Sequence, residues 1–174
     1  MGIVRNIYIK FQMKKNPVGY LRKLGCEIGE GCEIYPTANF MEPYLIRLGN
    51  HVRINEGVQL VTHDGGIWCL RNLDAKYENA DIFGKIQIGN NVHIGTNAII
   101  MPGVTIGNNC VIGVSAVVTK DIPDNSVAVG IPARVIESLE DYIKKNESSI
   151  VLTKNLSMKD KKAYLMKLYH TNNA

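Results

Sequence analysis

The chain has 174 residues, of which 45% are hydrophobic, and a formal net charge of +4 from 20 basic and 16 acidic residues. This length fits one domain, or one domain with an appendage, and the composition is that of a globular protein. The charge excess is too small for a protein dedicated to nucleic-acid binding, and no run approaches the roughly 18 apolar residues that span a bilayer.

The first 23 residues alternate between apolar and basic residues, with Ile3, Ile7 and Phe11 at helical spacing. We predict a short helix within residues 1–23 that covers the open end of the structure that follows. We favour this capping role over the alternative of membrane contact. Because basic residues interrupt the apolar stretch, it makes a poor export signal. The four cysteines are therefore expected to be reduced, and the protein is expected to be cytoplasmic.

The strongest pattern is a repeat of six residues. From residue 88 to residue 118 every sixth residue is Ile or Val, and the same register of large apolar residues occurs within 28–40 and 48–60. A period of six matches neither a helix nor a simple hairpin, but it fits a short strand followed by a corner. Three such units form one triangular coil. Coils stack about 4.8 Å apart with parallel strands and an apolar ladder inside, so we predict a mainly β fold, a parallel β-helix.

Residues 63–85 interrupt this register, because the step of 28 positions from Leu60 to Ile88 is not a multiple of six. The segment is polar and contains several glycines. A long loop inside a compact domain is usually functional, and this one begins with His63. The sequence therefore predicts a projecting loop that carries part of a functional site.

The repeat ends after Val118, where Pro123 and Pro132 mark an irregular segment. Two charged, amphipathic stretches follow at 137–147 and 157–170, and we predict that both are helices. The predicted organisation is a capping segment at 1–23, a β-helix domain at 24–136 with the loop at 63–85, and a helical appendage at 137–174.

A family resemblance is carried by the run IGNNVHIGTNAIIMPGVTIGNNCVIGVSAVVTKDIPDNSVAVGIPARVI, above all by PGVTIG, VVTKDIP and PARVI. This run resembles the C-terminal half of galactoside, maltose and polysaccharide O-acetyltransferases of the hexapeptide-repeat acyltransferase family. The resemblance covers residues 24–136. It implies a left-handed β-helix, a homotrimer, and acetyl-CoA as cosubstrate without a metal. The segment EPYLIRLGNHVRINEGVQLVTHDGG is similar to members that acetylate cell-surface polysaccharides or their sugar precursors.

His63 matches the histidine that removes the proton from the acceptor hydroxyl in such enzymes. Chemistry supports this role, since a sugar hydroxyl is a weak nucleophile, a thioester is a good electrophile, and a positioned base near neutral pKa suffices. The sequence has no G-x-S-x-G elbow and no cysteine in an activating motif. We therefore expect direct transfer without an acyl-enzyme, with a backbone N–H stabilising the oxyanion.

The candidate acceptor-binding residues come from the loop and from neighbouring coils. Asp64 follows the histidine and is one candidate for orienting its imidazole. The aromatic face of Trp68 suits a sugar ring, with burial under the loop as the alternative, and Arg71 suits an acidic sugar or a diphosphate. The candidates from neighbouring coils are Asn39, Glu42 and Asn55.

The resemblance also places coenzyme A in a groove between two copies of the β-helix. Thr96 and Val114 match positions along the pantetheine arm, and His93 stands where many relatives have Trp. Thr119, Lys120 and Arg134 match the adenosine end, where basic side chains suit anionic phosphates.

Several alternatives remain open at this point. N-acetylation of an amino sugar nucleotide, acetylation of an antibiotic and a non-catalytic scaffold or binding protein are all compatible with the repeat. A γ-type carbonic anhydrase would need three histidines on zinc, and the four histidines of this chain include no close pair. The expected partners are a sugar or glycan acceptor, acetyl-CoA and further copies of the chain, with no nucleic acid.

Overall fold

The computed structural model describes residues 2–170, with side chains from residue 7 onward. The chain divides into two compact units between Tyr142 and Ile143. The first unit contains two N-terminal helices and three sheets. The second contains the C-terminal helical segment.

Three sheets form the sides of the first unit. Sheet A contains β1 (Glu27–Ile28), β4 (Ile46–Leu48), β7 (Ile86–Ile88) and β10 (Thr105–Ile106). Sheet B contains β2 (Glu33–Ile34), β5 (Val52–Ile54), β8 (Val92–Ile94), β11 (Cys110–Ile112), β13 (Ser126–Gly130) and β14 (Ala133–Ser138). Sheet C contains β3 (Asn39–Phe40), β6 (Gln59–Leu60), β9 (Ile99–Ile100) and β12 (Val117–Val118).

The chain visits sheets A, B and C in turn, so three consecutive strands make one coil. Neighbouring strands are parallel, apart from the antiparallel pair β13 and β14 at the end of sheet B. The prediction of a mainly β, parallel repeat fold is confirmed. The left-handed winding of the coils stays a prediction.

The apolar register forms the core. In sheet B, Ile34 pairs with Ile54, Ile54 with Ile94, and Ile94 with Ile112, and all four side chains are buried. Within each strand the residue between two buried ones faces outward, as the period of two along a strand requires. The six-residue repeat is thus a stack of buried rungs, which cover one another from coil to coil.

Asparagine side chains support the corner between sheets A and B. Asn91, Asn109 and Asn125 all have a positive φ of 54–57°, a backbone conformation that Asn adopts more readily than most residues. Asn91 Nδ2 donates to Asn109 Oδ1 at 2.9 Å, and Asn109 Nδ2 donates to Asn125 Oδ1 at 2.9 Å. These bonds connect successive coils along the outside of the corner.

Two helices precede the first coil: α1 (Gly2–Lys15) and α2 (Pro17–Lys23). Asn16 caps α2 by accepting from Gly19 N at 2.8 Å. Met13 and Leu21 are buried in the same cluster as the lowest rungs of the β-helix. Arg22 donates to the carbonyl oxygens of Ile28 and Gly29, at 2.7 and 2.9 Å. The helices therefore supply partners at the open end of the sheets.

The segment between β6 and β7 has structure of its own. It contains α3 (Ile67–Leu73) and a 3-10 turn at Ala75–Tyr77. A second 3-10 turn at Pro43–Leu45 lies where the register slips by two residues between Phe40 and Leu48. The two residues by which this step exceeds six are therefore accommodated in the turn and not in a strand.

The C-terminal helices are α4 (Leu139–Asn146) and α5 (Met158–His170), with a 3-10 turn at Glu147–Ser149. Ser157 caps α5, because its hydroxyl accepts from Asp160 N at 3.1 Å and donates to Asp160 Oδ2 at 2.6 Å. Among residues 2–170, no helix combines the length and the apolar character that crossing a bilayer requires.

The buried register gives a direct stability test in β7. Ile88→Ala removes a buried rung and should lower the free energy of unfolding by about 2–5 kcal/mol. Gln87→Ala, at the exposed neighbouring position, should change it by less than about 0.5 kcal/mol. Chemical denaturation followed by circular dichroism measures both. Equal losses in the two variants would contradict the inward register of this strand.

Candidate functional site

His63 lies at the corner between sheets C and A, three residues after the end of β6. A short antiparallel contact pairs its backbone with that of Phe83 at the far end of the loop. Asp64 N donates to Ile82 O at 2.9 Å, and Gly84 N donates to Thr62 O at 2.8 Å. The histidine is therefore held at the base of the loop, where the loop joins the rigid coils.

A carboxylate from the coil below contacts the histidine ring. His63 Nδ1 lies 3.0 Å from Glu42 Oε2 and 3.2 Å from Glu42 Oε1. Thr62 is fully buried; its hydroxyl accepts from Glu42 N at 3.0 Å and donates to Glu42 Oε2. Thr62 thus holds Glu42 in place through two hydrogen bonds, and the Glu42 carboxylate also contacts the ring of His63.

Electrostatics determine which nitrogen of His63 carries a proton in this pair. Partial burial raises the pKa of the Glu42 carboxyl, but hydrogen bonds from Thr62 and His63 and the charge of His63 outweigh this effect, so the net pKa lies below the ordinary value. An ionised carboxylate only accepts hydrogen bonds. The contact therefore requires a proton on Nδ1, and in the neutral form of the ring the lone pair is then on Nε2, where it can act as a base.

His63 and Glu42 open into a cavity of about 370 Å³ under the loop. Trp68 and Phe83 contribute aromatic surface to it, and the rings of Phe83 and His63 meet at an interplanar angle of 75° with their centroids 6.3 Å apart. The side chain of His63 is 43% exposed, so a molecule in the cavity can reach it. The other lining residues are Asp64, Gly65, Ile67, Arg71, Asp81 and Ile82.

Four of the six predicted acceptor-binding residues line this cavity: Glu42, Asp64, Trp68 and Arg71. Trp68 is 67% exposed, so the alternative of burial under the loop is wrong. Asp64 accepts from Gly66 N at 2.8 Å, and the carboxylate next to the imidazole is that of Glu42. Arg71 is paired with Asp81 and donates to Ala80 O at 2.9 Å, so its charge is already compensated within the loop.

Asn39 and Asn55 are not among the residues that line the cavity. Asn39 Nδ2 donates to Gln59 Oε1 at 3.0 Å on the outer face of sheet C. Asn55 Oδ1 accepts from Arg53 Nε at 3.3 Å at the corner between sheets B and C. The expectation that they approach the histidine is not met, because each lies at an earlier position of the coil than the corner that carries His63.

The predicted coenzyme A residues lie at different corners. Thr96 and Val114 occupy successive coils of the B–C corner, where Ser115 N donates to Thr96 O at 2.9 Å and the Val114 side chain is exposed. Thr119 and Lys120 follow β12 at the C–A corner, which is also the corner of His63. Arg134 lies on β14 and donates to Ala133 O at 2.8 Å. These residues therefore do not form one continuous strip on a single edge.

His93 faces outward from the middle of sheet B, in a depression of about 240 Å³ that also includes Arg53. Burial, and then the nearby charge of Arg53, lower the pKa of His93 below its ordinary value, which favours the neutral ring at pH 7. The structure places His93 away from the cavity of His63.

The buried thiols are unsuited to nucleophilic catalysis. Burial raises the pKa of Cys26 to about 12, and burial also raises the pKa of Cys110. A thiol with a raised pKa carries little thiolate at neutral pH. Between residues 2 and 170, no group of three or more His, Cys, Asp or Glu side chains is arranged to hold a metal ion.

Besides Asp81 and Phe83, which line the cavity, the sequence analysis missed Thr62. Its position directly before the loop histidine is the one available signal, since a single threonine at a strand end has no distinctive pattern. Its role became visible only from its contact with Glu42, 20 positions earlier in the chain.

Comparison with known proteins finds a matching family model and similar proteins. Residues 85–120 match the family model described as bacterial transferase hexapeptide (six repeats). The chain is 45% identical to the protein CapG of Staphylococcus aureus over 172 residues, which cover 97% of this chain and 98% of CapG. It is 41% identical to galactoside O-acetyltransferase of Escherichia coli over 121 residues, covering 67% of this chain and 57% of that enzyme.

A solved structure points to the same fold. Galactoside acetyltransferase in complex with coenzyme A aligns with a TM-score of 0.58 at 29% identity, covering 81% of this chain and 82% of the other. The alignment over most of both chains agrees with the stacked coils and with the relatives found from sequence. The chain belongs to the hexapeptide-repeat acyltransferase family.

Proposed function

We propose that this protein transfers acetyl from acetyl-CoA to a hydroxyl group of a sugar, in a cell-surface polysaccharide or its precursor, with His63 as the general base. The observation that carries the proposal is the contact of His63 Nδ1 with Glu42, 3.0 Å away, at the base of an open cavity lined by an aromatic side chain. One relative is named a galactoside O-acetyltransferase, and one similar structure contains coenzyme A. Both names support a sugar as acceptor and acetyl-CoA as donor.

In the proposed reaction His63 is the base and Glu42 is the carboxylate that positions it. Nε2 of His63 takes the proton of the acceptor hydroxyl while its oxygen attacks the thioester carbonyl. The tetrahedral intermediate collapses with cleavage of the C–S bond, and the imidazolium returns its proton to the departing thiolate of coenzyme A. Glu42 keeps the ring oriented and stabilises its positive charge, and Thr62 keeps Glu42 in place.

The charges around the cavity favour a neutral acceptor. Glu42, Asp64 and Asp81 contribute three carboxylates, while Arg71 is the one Lys or Arg side chain among the lining residues and is already paired. A sugar nucleotide or an acidic sugar would bring further negative charge to these lining residues, whose one Lys or Arg side chain is already paired with Asp81. This argues against an amino sugar nucleotide as acceptor, and the family membership argues against a non-catalytic scaffold.

We infer that a complete site needs two copies of the chain, in line with the expected homotrimer of left-handed β-helices. Thr96 and Val114 lie at the B–C corner, whereas His63 lies at the C–A corner, at the other end of the strands of sheet C. A groove between the corners of two neighbouring copies would bring donor and acceptor residues together. Thr119, Lys120 and Arg134 would then contact the anionic end of coenzyme A.

We place the catalytic part in residues 24–136, with the capping segment at 1–23 and the appendage at 137–174 on either side. Activity in the cytoplasm fits four free cysteines and a substrate made there.

The function is tested by acetyl transfer with His63→Ala. Loss of the base should lower kcat/KM at least about a hundredfold, measured as release of free thiol from acetyl-CoA with a panel of neutral, acidic and amino sugars. Neutral sugars should be the best acceptors for the unchanged protein.

A histidine away from the cavity is the matched control. His51→Asn keeps the positive φ of its corner and should retain activity. Near-normal turnover by His63→Ala would contradict the assignment of the base, and a strong preference for an amino sugar nucleotide would move the protein to the alternative reaction.

The Glu42 contact predicts a pH-dependent stability. Because the pKa of Glu42 lies below its ordinary value of 4.5 in the folded protein, its ionised form contributes stability that is fully present above pH 4.5 and is lost as the pH falls through the lowered pKa. Glu42→Gln should therefore lower Tm at neutral pH, and the difference from the unchanged protein should shrink below pH 4.5. Glu56→Gln, at an exposed position, is the control, and a difference independent of pH would contradict the pairing.

Mixing two inactive variants tests the shared site. His63→Ala removes the base, and Val114→Trp obstructs the B–C corner of the other copy. Co-assembled copies should recover about a quarter of the activity of the unchanged protein, because a random 1:1 mixture joins an intact His63 to an intact Val114 at one interface in four. No recovery in verified mixed oligomers, or a stable active monomer in sedimentation, would place the whole site in one copy.

A further inference from the structure

The charge of this protein is concentrated before the first coil. Residues 1–26 contain six basic and no acidic residues, so this segment has a formal charge of +6 and the rest of the chain has a formal charge of −2. The basic residues are Arg5, Lys10, Lys14, Lys15, Arg22 and Lys23. A segment with this charge attracts an anionic partner.

The helix that carries most of this charge is apolar on two sides. Ile9 and Met13 pack against the core of the β-helix. On the other side Ile7, Tyr8 and Phe11 are 63%, 56% and 60% exposed. The inner face accounts for the capping role, but the β-helix leaves the outer face uncovered.

Lysines border this exposed face. Lys10, Phe11 and Lys14 follow Ile7 by three, four and seven positions, so the four residues share one side of α1. Neither lysine forms an ion pair within the part of the chain that the structure describes. Their stems can cover apolar surface while their ammonium groups reach outward to anions.

An apolar groove of about 700 Å³ runs beside this face, between the two N-terminal helices and the first coil. It is lined by Tyr8, Met13, Tyr20, Leu24, Met41 and Tyr44, among others. The rings of Tyr8 and Tyr20 meet edge to face with centroids 6.5 Å apart. The apolar groove could contact the apolar part of an amphiphile, and the nearby ammonium groups of Lys10 and Lys14 could contact its negatively charged head.

We propose that the outer face of α1 binds the surface of an anionic phospholipid membrane, with Ile7 and Phe11 entering the headgroup boundary and Lys10 and Lys14 contacting lipid phosphates. Helices with apolar residues bordered by lysines bind membrane interfaces through both apolar burial and charge. The helix then has two roles: its inner face covers the β-helix, and its outer face holds the protein at a membrane. This inference does not depend on the proposed acetyl transfer.

Vesicle co-sedimentation of the full chain tests the inference. The protein should bind vesicles of phosphatidylcholine mixed with phosphatidylglycerol, should bind vesicles of phosphatidylcholine alone far less, and should be released as salt is raised. Reversing two charges with Lys10→Glu and Lys14→Glu should lower the partition coefficient at least about tenfold. Phe11→Ser should also weaken binding, without loss of secondary structure in circular dichroism, because its side chain is exposed.

The matched control reverses two charges in another helix. Lys161→Glu with Lys162→Glu changes the net charge equally but lies in α5, so binding should persist. Equal binding to both kinds of vesicle, no binding, or loss of binding only in the α5 variant would each overturn the proposal. It would also be overturned if Phe11→Ser dissociated the oligomer in sedimentation, since the face would then be covered by a second copy of the chain.

Discussion

Stacking of equivalent apolar side chains from coil to coil is the interaction on which the rest of this structure depends. Ile54, Ile94 and Ile112 lie in one buried row because their strands pair in register. A slip of one residue would turn each of these side chains outward, so the register is strongly fixed. Because the register is fixed, corner residues of successive coils also lie in rows. This is how Thr62 comes to lie against Glu42, and Val114 above Thr96.

The candidate site uses these rows without disturbing them. Glu42 and Thr62 belong to the corners of two neighbouring coils, and the Thr62 hydroxyl bonds both the backbone N–H and the carboxylate of Glu42. The cavity itself is formed by the loop, whose side chains need not follow the repeat. Rigid coils thus hold His63 and the Glu42 carboxylate, and a segment outside the repeat provides the aromatic and charged surface around them.

The fold was predictable from sequence because burial repeats with a fixed period, and neither a long helix nor a hairpin buries every sixth residue. The partner of His63 was harder to predict. Glu42, Asn39, Asn55 and Asp64 were all reasonable candidates, and the choice depends on which corner each residue occupies. The 3-10 turn at Pro43–Leu45 adds two residues to the coil that contains Glu42, and this turn has no periodic signal in the sequence. The corner of the next coil that meets Glu42 is therefore hard to identify from the repeat alone. The pairing of Arg71 with Asp81 was equally hidden, because both lie in a loop whose path the repeat does not determine.

The two ends of the loop are joined by the hydrogen bond from Gly84 N to Thr62 O, 2.8 Å long. A Cβ on Gly84 would lie 2.3 Å from Gly103 N, so the returning chain passes directly against the next coil. A segment that leaves and rejoins a scaffold at one point can be lengthened, shortened or exchanged at little entropic cost. In the proposed reaction, a new acceptor preference can therefore arise by replacement of this one insertion, while the stacked coils are inherited unchanged.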